Sequence, residues 1–318
     1  MDNSYSFNVT NDTPRTCYLY VTSNCNSNCS YCVFRKSNDK IKRIDMTLDF
    51  IRSFVLESKI LRSCKFVLQG GEYTEHPEYL EIARFFKNHD IETTLLTNCI
   101  EPEKVLALEP EVGAITVSYD GTPHDLVRGA PNNTEKIKYF LRASKRLVPI
   151  TLQMTLGPWN MRSIAIHNFL MICSLYKTNA RFNVAQSDGL LKNGNYEISD
   201  RNLSIINTHI KNIGRTLGVD TSDGSEYIEQ VIASKKGKRL PCRSLSMYTT
   251  ITANGDVLLC QGLEYTQAKV SNIYNNNFDI IWNETSSLRS LYKKCTACYL
   301  SCQLIGDLKY VKEQGELK

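Results

Sequence analysis

The chain has 318 residues, 42% hydrophobic and 22% charged, with Lys+Arg 38 against Asp+Glu 33 for a net charge of +5. This is an ordinary globular composition, sized for one large or two smaller domains. It lacks the clustered basic face that nucleic acid selects and any apolar run of about 18 residues that would span a membrane. The opening MDNSYSFNVTNDTPR carries no basic patch ahead of an apolar core, so it does not read as a secretory signal. A cytoplasmic setting is expected, where disulfides are disfavoured and the 12 cysteines need another explanation. The one dense basic run, KKGKR at 235–239, reads as a solvated stretch.

In chain order, residues 1–16 are a short lead and CYLYVT (17–22) is the first strand. MTLDFIRSFVLESKIL follows as one helix, with Thr47 as N-cap and Leu48, Ile51, Phe54 and Val55 on one face. KFVLQ (65–69) is a short apolar strand ending at Gly70-Gly71, and PEYLEIARFFKN is the next helix, Pro77 near its first turn. TTLLT (93–97), AITVS (114–118), ITLQMTL (150–156) and ARFNV (180–184) continue the strands, with helices starting near Asn133, Ser163 and Asp200. Six strands alternating with helices predict parallel βα units, because parallel neighbours need a helical crossover. Residues 219–241 are polar and basic and read as a linker with a short helix. MYTTIT-ANG-DVLLC then reads as a hairpin turning at Asn254-Gly255, and FDIIWNETSSLRSLY (278–292) as a helix ahead of a cysteine-dense turn at 295–302. Residues 242–318 thus form a small second unit.

The cysteines fall into three sets. Cys17, Cys64, Cys99 and Cys173 lie in apolar stretches, where free cysteine acts as a small hydrophobe. Cys25, Cys29 and Cys32 sit in SNCNSNCSYC, directly after the first strand. A buried helix with thiols at this spacing is incompatible with the intervening Asn24, Asn26, Ser27, Asn28 and Ser30. A structural zinc site wants four protein ligands, which three cysteines supply poorly. Soft thiolates also select iron–sulfur clusters, and three of them on a [4Fe–4S] cube leave one iron open. The polar filler lets the loop wrap a cube and donate hydrogen bonds to its sulfurs.

C-N-S-N-C-S-Y-C, with an aromatic before the last cysteine, resembles the signature of the radical S-adenosylmethionine (SAM) superfamily. The resemblance implies that SAM's methionine chelates the open iron. An electron from the cube then splits the sulfonium, and the 5′-deoxyadenosyl radical takes hydrogen from substrate. LQGGEYTEHPE (68–78) is similar to the family's GGE segment, implying that Gly70, Gly71 and Glu72 hold the methionine ammonium. TLLTNC (94–99) stands where the family has Thr-Asn-Gly, with Cys99 in place of glycine. ITVSYDGTPHDLVRG (115–129) resembles the fourth-strand segment. It implies that Ser118 and Asp120 meet the SAM ribose and carboxylate, that Arg128 is a carboxylate partner, and that Val184 on the sixth strand lies near adenine. The fold expected is a partial (βα)6 barrel over 17–218, with SAM across the strands' C-terminal ends.

Cys242, Cys260, Cys295, Cys298 and Cys302 make the third set. A four-cysteine zinc site is the generic reading. VSNIYNNNFDIIWNETSSLRSLYKKCTACYLSC looks like the C-terminal SPASM/twitch extension of many radical SAM enzymes, with Ser271 where glycine is usual. That resemblance implies an α+β unit holding one auxiliary [4Fe–4S] cluster on Cys242, Cys260, Cys295 and Cys298. Cys302 is left over, as a further ligand, a buried residue, or a catalytic thiol donating hydrogen near the active site. A cluster closed by four protein ligands serves electron transfer, which points to a net oxidation.

Three functions are weighed. A maturase of ribosomally made peptides, installing a crosslink, oxidation or inverted centre, follows from the SPASM/twitch resemblance. An aminocyclitol alcohol dehydrogenase fits the cysteine spacing equally, with Arg181 assisting proton loss. The third is a non-catalytic iron–sulfur or zinc protein, which would leave the GGE and SYDG segments without purpose. Only sixteen residues precede the first strand, too few for a separate peptide-recognition domain. An electron donor such as flavodoxin or ferredoxin is implied for either enzyme.

Overall fold

The structure is a computed structural model that describes residues 13–32, 43–185, 198–236, 247–258, 260 and 269–288. Six strands, β1 (Thr16–Tyr20), β2 (Lys65–Gln69), β3 (Thr93–Thr97), β4 (Ala114–Ser118), β5 (Ile150–Leu156) and β6 (Asn179–Val184), pair parallel and in sequence order. Helices α1 (Leu48–Glu57), α2 (Lys59–Arg62), α3 (Tyr79–Asn88), α4 (Pro102–Leu108), α5 (His124–Arg128), α6 (Asn133–Ala143) and α7 (Ser163–Leu175) form the crossovers. The expected partial (βα)6 barrel is therefore present, as an open sheet with β6 at one edge.

One face of the sheet is the core. Leu19, Phe66, Leu68, Leu95, Val117, Leu152, Met154 and Phe182 are fully buried, meeting helical partners such as Phe86 on Phe66 and Phe169 on Phe182. Each such side chain contributes about 1.5–3 kcal/mol of burial. The alternate residues of the same strands face the opposite, concave side, most of them half-exposed with Gln69 and Thr116 buried and Arg181 exposed, because successive strand side chains point to opposite faces. Cys17, Cys64, Cys99 and Cys173 are all free and buried, as small core hydrophobes.

Two expected elements differ. The helix read over residues 46–61 breaks at Ser58, whose backbone is extended (φ −97°, ψ 119°) and whose hydroxyl caps α2 by accepting from Leu61 N. The cause is remote: Asp279 accepts the Ser58 hydroxyl and the Lys59 and Ile60 amides, the latter two at 3.0 and 3.2 Å. The stretch read as a linker with a short helix holds the 14-residue α9 (Ser222–Lys235), packed on the barrel beside α8 (Asp200–Leu217). Tyr227, Ile228 and Val231 of α9 are fully buried, and the Tyr227 hydroxyl accepts from Val184 N at 2.8 Å.

The hairpin forms as β7 (Tyr248–Ile251) and β8 (Asp256–Leu258), turning through Gly255 at φ +81°. It is not a separate sheet: β7 pairs parallel with β1, and β9 (Lys269–Asn272) continues antiparallel beyond β8. The last described helix, α10 (Phe278–Glu284), ends at Thr285, and the remainder of the expected 278–292 helix lies partly outside the described residues. No helix among the described residues is long and apolar enough to cross a membrane.

Candidate active site

The cysteine loop leaves the C-terminal end of β1 and has no apolar residue of its own between Ser23 and Ser30 except the cysteines. Its shape is imposed by neighbours. From below, Gly71 N donates to Thr22 O at 2.8 Å and Glu72 N to Asn24 O at 2.7 Å. A Cβ on Gly70 would sit 2.7 Å from Thr22 O, and one on Gly71 only 2.2 Å from Asn24 O. The two glycines are thus required by close approach of the cysteine loop itself. From the side, Asn28 N donates to Arg128 O at 2.9 Å and Ser30 N to Val127 O at 2.8 Å, while Ser27 Oγ also donates to Arg128 O. Asn26 is bridged by its carboxamide between Glu75 (3.0 Å) and Asn98 (2.8 Å).

The three thiols share one field. The protein packed around the Cys25 sulfur pushes its thiol up to about 12, opposed by the Ser27 N–H and reinforced by Glu72, Cys29 and Cys32. Ser27 N donates to Cys25 Sγ at 3.4 Å, and Ser27 Oγ lies 3.2 Å from Cys29 Sγ. Among the described residues no three His, Cys, Asp or Glu side chains converge as a single metal ion requires. Thiols around an iron–sulfur cube stand further apart than around one ion. A set that repels itself as bare thiolates, with donors aimed at its sulfurs, suits a cationic cluster core.

Glu72, on the turn after β2, is buried. Its Oε1 accepts from Thr97 Oγ1 at 2.6 Å, Thr74 Oγ1 at 3.1 Å and Thr74 N at 3.3 Å; Oε2 accepts from Asn98 N at 2.7 Å. Burial raises its carboxyl, and these donors only partly offset the rise. The side chain therefore ties the end of β2 to the end of β3. Just beyond, Cys99 takes the left-handed conformation (φ +57°) that the family fills with glycine, and its thiol is buried in the core.

Asp120 follows β4 and is fully buried. Oδ1 accepts from Thr155 N at 2.9 Å, and Oδ2 accepts from Arg128 Nε and Tyr31 OH, both at 2.7 Å. Burial alone would raise its carboxyl, but the Arg128 guanidinium outweighs it and holds the group below its ordinary value. Its oxygens thus accept three hydrogen bonds from protein, joining the loop's Tyr31 to Arg128 and Thr155. Arg128 keeps its Nη groups without a hydrogen-bond partner among the described residues. Tyr31 stacks on Trp159 with ring centroids 4.9 Å apart and planes 7° from parallel. Ser118 ends β4 half-buried. Val184 is buried in the hydrophobic core, on the same side of β6 as Phe182.

The motifs therefore place Cys25, Cys29, Cys32, Gly70, Gly71, Glu72, Asp120 and Arg128 at one end of the sheet. Sequence reading missed Trp159, Asn160, His124 and Asn133, which fasten that end. Asn160 Nδ2 donates to Asp120 O and Thr155 O. Asp120 N donates to His124 Nδ1, and His124 Nε2 lies 3.0 Å from Asn133 Nδ2, which also donates to Asn98 O. The Gly157-Pro158-Trp159-Asn160 turn after β5 was the available signal. Of the third cysteine set, Cys260 is half-buried against the main core; Cys242, Cys295, Cys298 and Cys302 lie outside the described residues.

Comparison with known proteins agrees with this geometry. The radical SAM superfamily model matches residues 19–170, and the model of an iron–sulfur cluster-binding domain, SPASM, matches residues 242–303. A curated relative, the AdoMet-dependent heme synthase of Methanosarcina barkeri, is 28% identical over 158 residues, covering 48% of this chain and 45% of that protein. The match thus spans less than half the length of that relative. Among solved structures, Streptococcus suis SuiB bound to precursor peptide SuiA superposes with a TM-score of 0.70 at 15% identity, covering 91% of this chain and 72% of that one. Native anSMEcpe with bound AdoMet superposes with a TM-score of 0.64 at 17% identity, covering 95% and 98%. At such identities these structures share the fold alone. With the cysteine loop, the GGE turn and the open parallel sheet in one place, the chain belongs to the radical SAM superfamily and carries a C-terminal iron–sulfur cluster-binding domain of the SPASM type.

Proposed function

We propose that this radical SAM enzyme modifies a ribosomally made peptide by removing a hydrogen atom from it, ending in a crosslink, an oxidation or an inverted centre. The observation that carries the reading is the open concave face of the sheet. It runs from β1 to the free edge at β6 and is lined by half-exposed side chains. Five strand spacings of about 4.8 Å make a face roughly 24 Å across, wide enough for an extended segment. The solved relatives support the substrate class, since SuiB is bound to precursor peptide SuiA and anSMEcpe to a Cp18Cys peptide.

In this reading Cys25, Cys29 and Cys32 hold a [4Fe–4S] cube, which when bound supplies the electron that cleaves SAM. The carbonyls of the Gly70–Glu72 turn receive the methionine ammonium and the Arg128 Nη groups its carboxylate. Ser118 meets the ribose. Asp120 is a positioning residue: it aims Arg128 and fixes Tyr31, coupling the cofactor end of β4 to the cysteine loop. Cys242, Cys260, Cys295 and Cys298 would hold one auxiliary [4Fe–4S] cluster, which would supply an electron acceptor. A cytoplasmic flavodoxin or ferredoxin is the electron donor.

The test is chemical. Protein reconstituted without air, reduced with dithionite and given SAM is expected to release 5′-deoxyadenosine, and Cys25→Ala to release none. With a short peptide encoded beside the gene, the product loses the mass of two hydrogens, or takes up solvent deuterium if a centre is inverted. Protein with a full iron complement that releases no 5′-deoxyadenosine would sink the proposal.

A further inference from the structure

The inner face of the sheet bears on which peptide would be taken. Parallel register places paired residues on one side, so Tyr20 and Gln69 share a row, as do Ser118, Gln153 and Arg181. Their strand neighbours Leu19, Leu68, Val117, Leu152, Met154 and Phe182 are fully buried on the opposite face, which fixes this row as concave. Gln153 and Ser118 are half-buried there and Arg181 is exposed.

The electrostatics of this face are one-sided. Among its described strand residues there is no aspartate or glutamate. The two carboxylates at its mouth, Glu72 and Asp120, are buried and saturated by protein donors. Lys65, at the far end, is paired with Glu92. That leaves Arg181, which has no hydrogen bond or ion pair among the described residues, as the uncompensated charge. A guanidinium presents a planar fork of donors that matches a carboxylate.

A second observation points to a ligand. Gln69 is 7% exposed, and its Nε2 is buried with no acceptor among the described residues. A buried donor left unpaired is destabilising, so the position calls for an incoming carbonyl. From β2 to β6 the sheet crosses four spacings, no more than about 19 Å, the reach of five or six extended residues.

We infer that the inner face selects an extended peptide segment bearing a carboxylate, received by Arg181 on the edge strand while Gln69 donates to a backbone carbonyl of the same segment. This rests on the peptide reading and names its chemistry. It disfavours an aminocyclitol, because a cationic amine finds no free carboxylate among the described residues of this face.

The test uses the reconstituted enzyme with SAM and two fluorescent pools of synthetic decapeptides, alike except that every member of one carries a glutamate where the other carries a lysine. Anisotropy is expected to show the glutamate pool bound at least about ten-fold tighter. Arg181→Gln, an exposed change, is expected to erase the difference. Arg142→Gln on the outer helix α6 leaves it intact, and Gln69→Leu weakens both pools. Equal binding of the pools, a lysine preference, or a preference that survives Arg181→Gln overturns the inference. Binding of neither pool by enzyme that still releases 5′-deoxyadenosine overturns the peptide reading itself.

Discussion

Gly71→Ala isolates the contact on which the cysteine loop depends. Gly71 does not have a positive φ, so alanine is not barred by its own backbone; the obstacle is steric. The new Cβ would lie 2.2 Å from Asn24 O, 2.6 Å from Asn24 C and 2.8 Å from Ser23 O, all backbone atoms. No side-chain rotation relieves that, so residues 22–24 must lift away from the end of β2. Lifting breaks the Gly71–Thr22 and Glu72–Asn24 hydrogen bonds, worth about 0.5–1.5 kcal/mol each, and adds overpacking of about 1–3 kcal/mol. The expected loss is about 2–6 kcal/mol, and at about 2 °C per kcal/mol the apo-protein melts at least ~4 °C lower. Iron bound after reconstitution falls as well, since the displaced loop carries Cys25. Gly218→Ala is the control: Gly218 has φ +65° but nothing within 4 Å of a Cβ, so it costs only about 1 kcal/mol of left-handed strain and leaves iron unchanged. Paired calorimetry and iron assay decide the matter. A Gly71→Ala protein that melts and binds iron like the parent would refute the claim that the GGE turn shapes the loop.

Two further outcomes are expected. Burial, then the Arg128 charge, lowers His124 to about 4, so the unfolded chain takes up this proton first as pH falls. The stability held by the neutral ring is intact above about pH 6.5 and declines by about 3 kcal/mol down to pH 4. Urea titrations across that window are expected to flatten in His124→Asn; an unchanged slope would count against this assignment. At Cys99, φ +57° suits glycine, so Cys99→Gly is expected to shift stability by no more than about 1 kcal/mol, strain relief offsetting lost packing. Cys99→Val, β-branched at positive φ, is expected to lose more than about 2 kcal/mol in the same measurement.

What the sequence made legible was what short-range pattern encodes. β2, β3, β4 and β5 are apolar runs bounded by turns, and their limits follow from that alone. The break at Ser58 was not legible because its cause, Asp279, lies some 220 residues away. α9 read as a short helix within a linker because part of its buried face is Gly224, Ser225 and Ser234, small residues that look polar in sequence. They are small for contact: a Cβ on Gly224 would meet Phe182 at 2.5 Å, and Ser225 Oγ donates to Asn207 at 2.8 Å on α8. In the site, residue identities were legible and their partners were not. The family resemblance singled out Asp120 and Glu72 as important carboxylates, but only three dimensions show both turned inward onto protein donors.

That inversion bears on how the site is built. A loop of serine, asparagine and cysteine cannot organise itself by burial, since it has almost no apolar surface to remove from water. It is held by directional bonds to elements whose own positions are fixed by the core: Thr22 and Asn24 on the β2 turn, Asn26 on the ends of β2 and β3, Asn28 and Ser30 on α5, Tyr31 on Asp120 and Trp159. Asp120 links three of these systems at once, being bonded to β5 through Thr155, to α5 through Arg128 and to the loop through Tyr31. The guanidinium expected to receive a cofactor carboxylate is therefore oriented by the same side chain that orients the cysteine loop. The cysteine loop and Arg128, so joined, cannot drift independently, and a change at either one is felt at the other through a buried ion pair. Among the described residues the inner face further from this junction carries no such network, and Ser118, Thr151, Gln153 and Thr155 stay half-exposed there, which leaves it free to differ while the junction stays fixed.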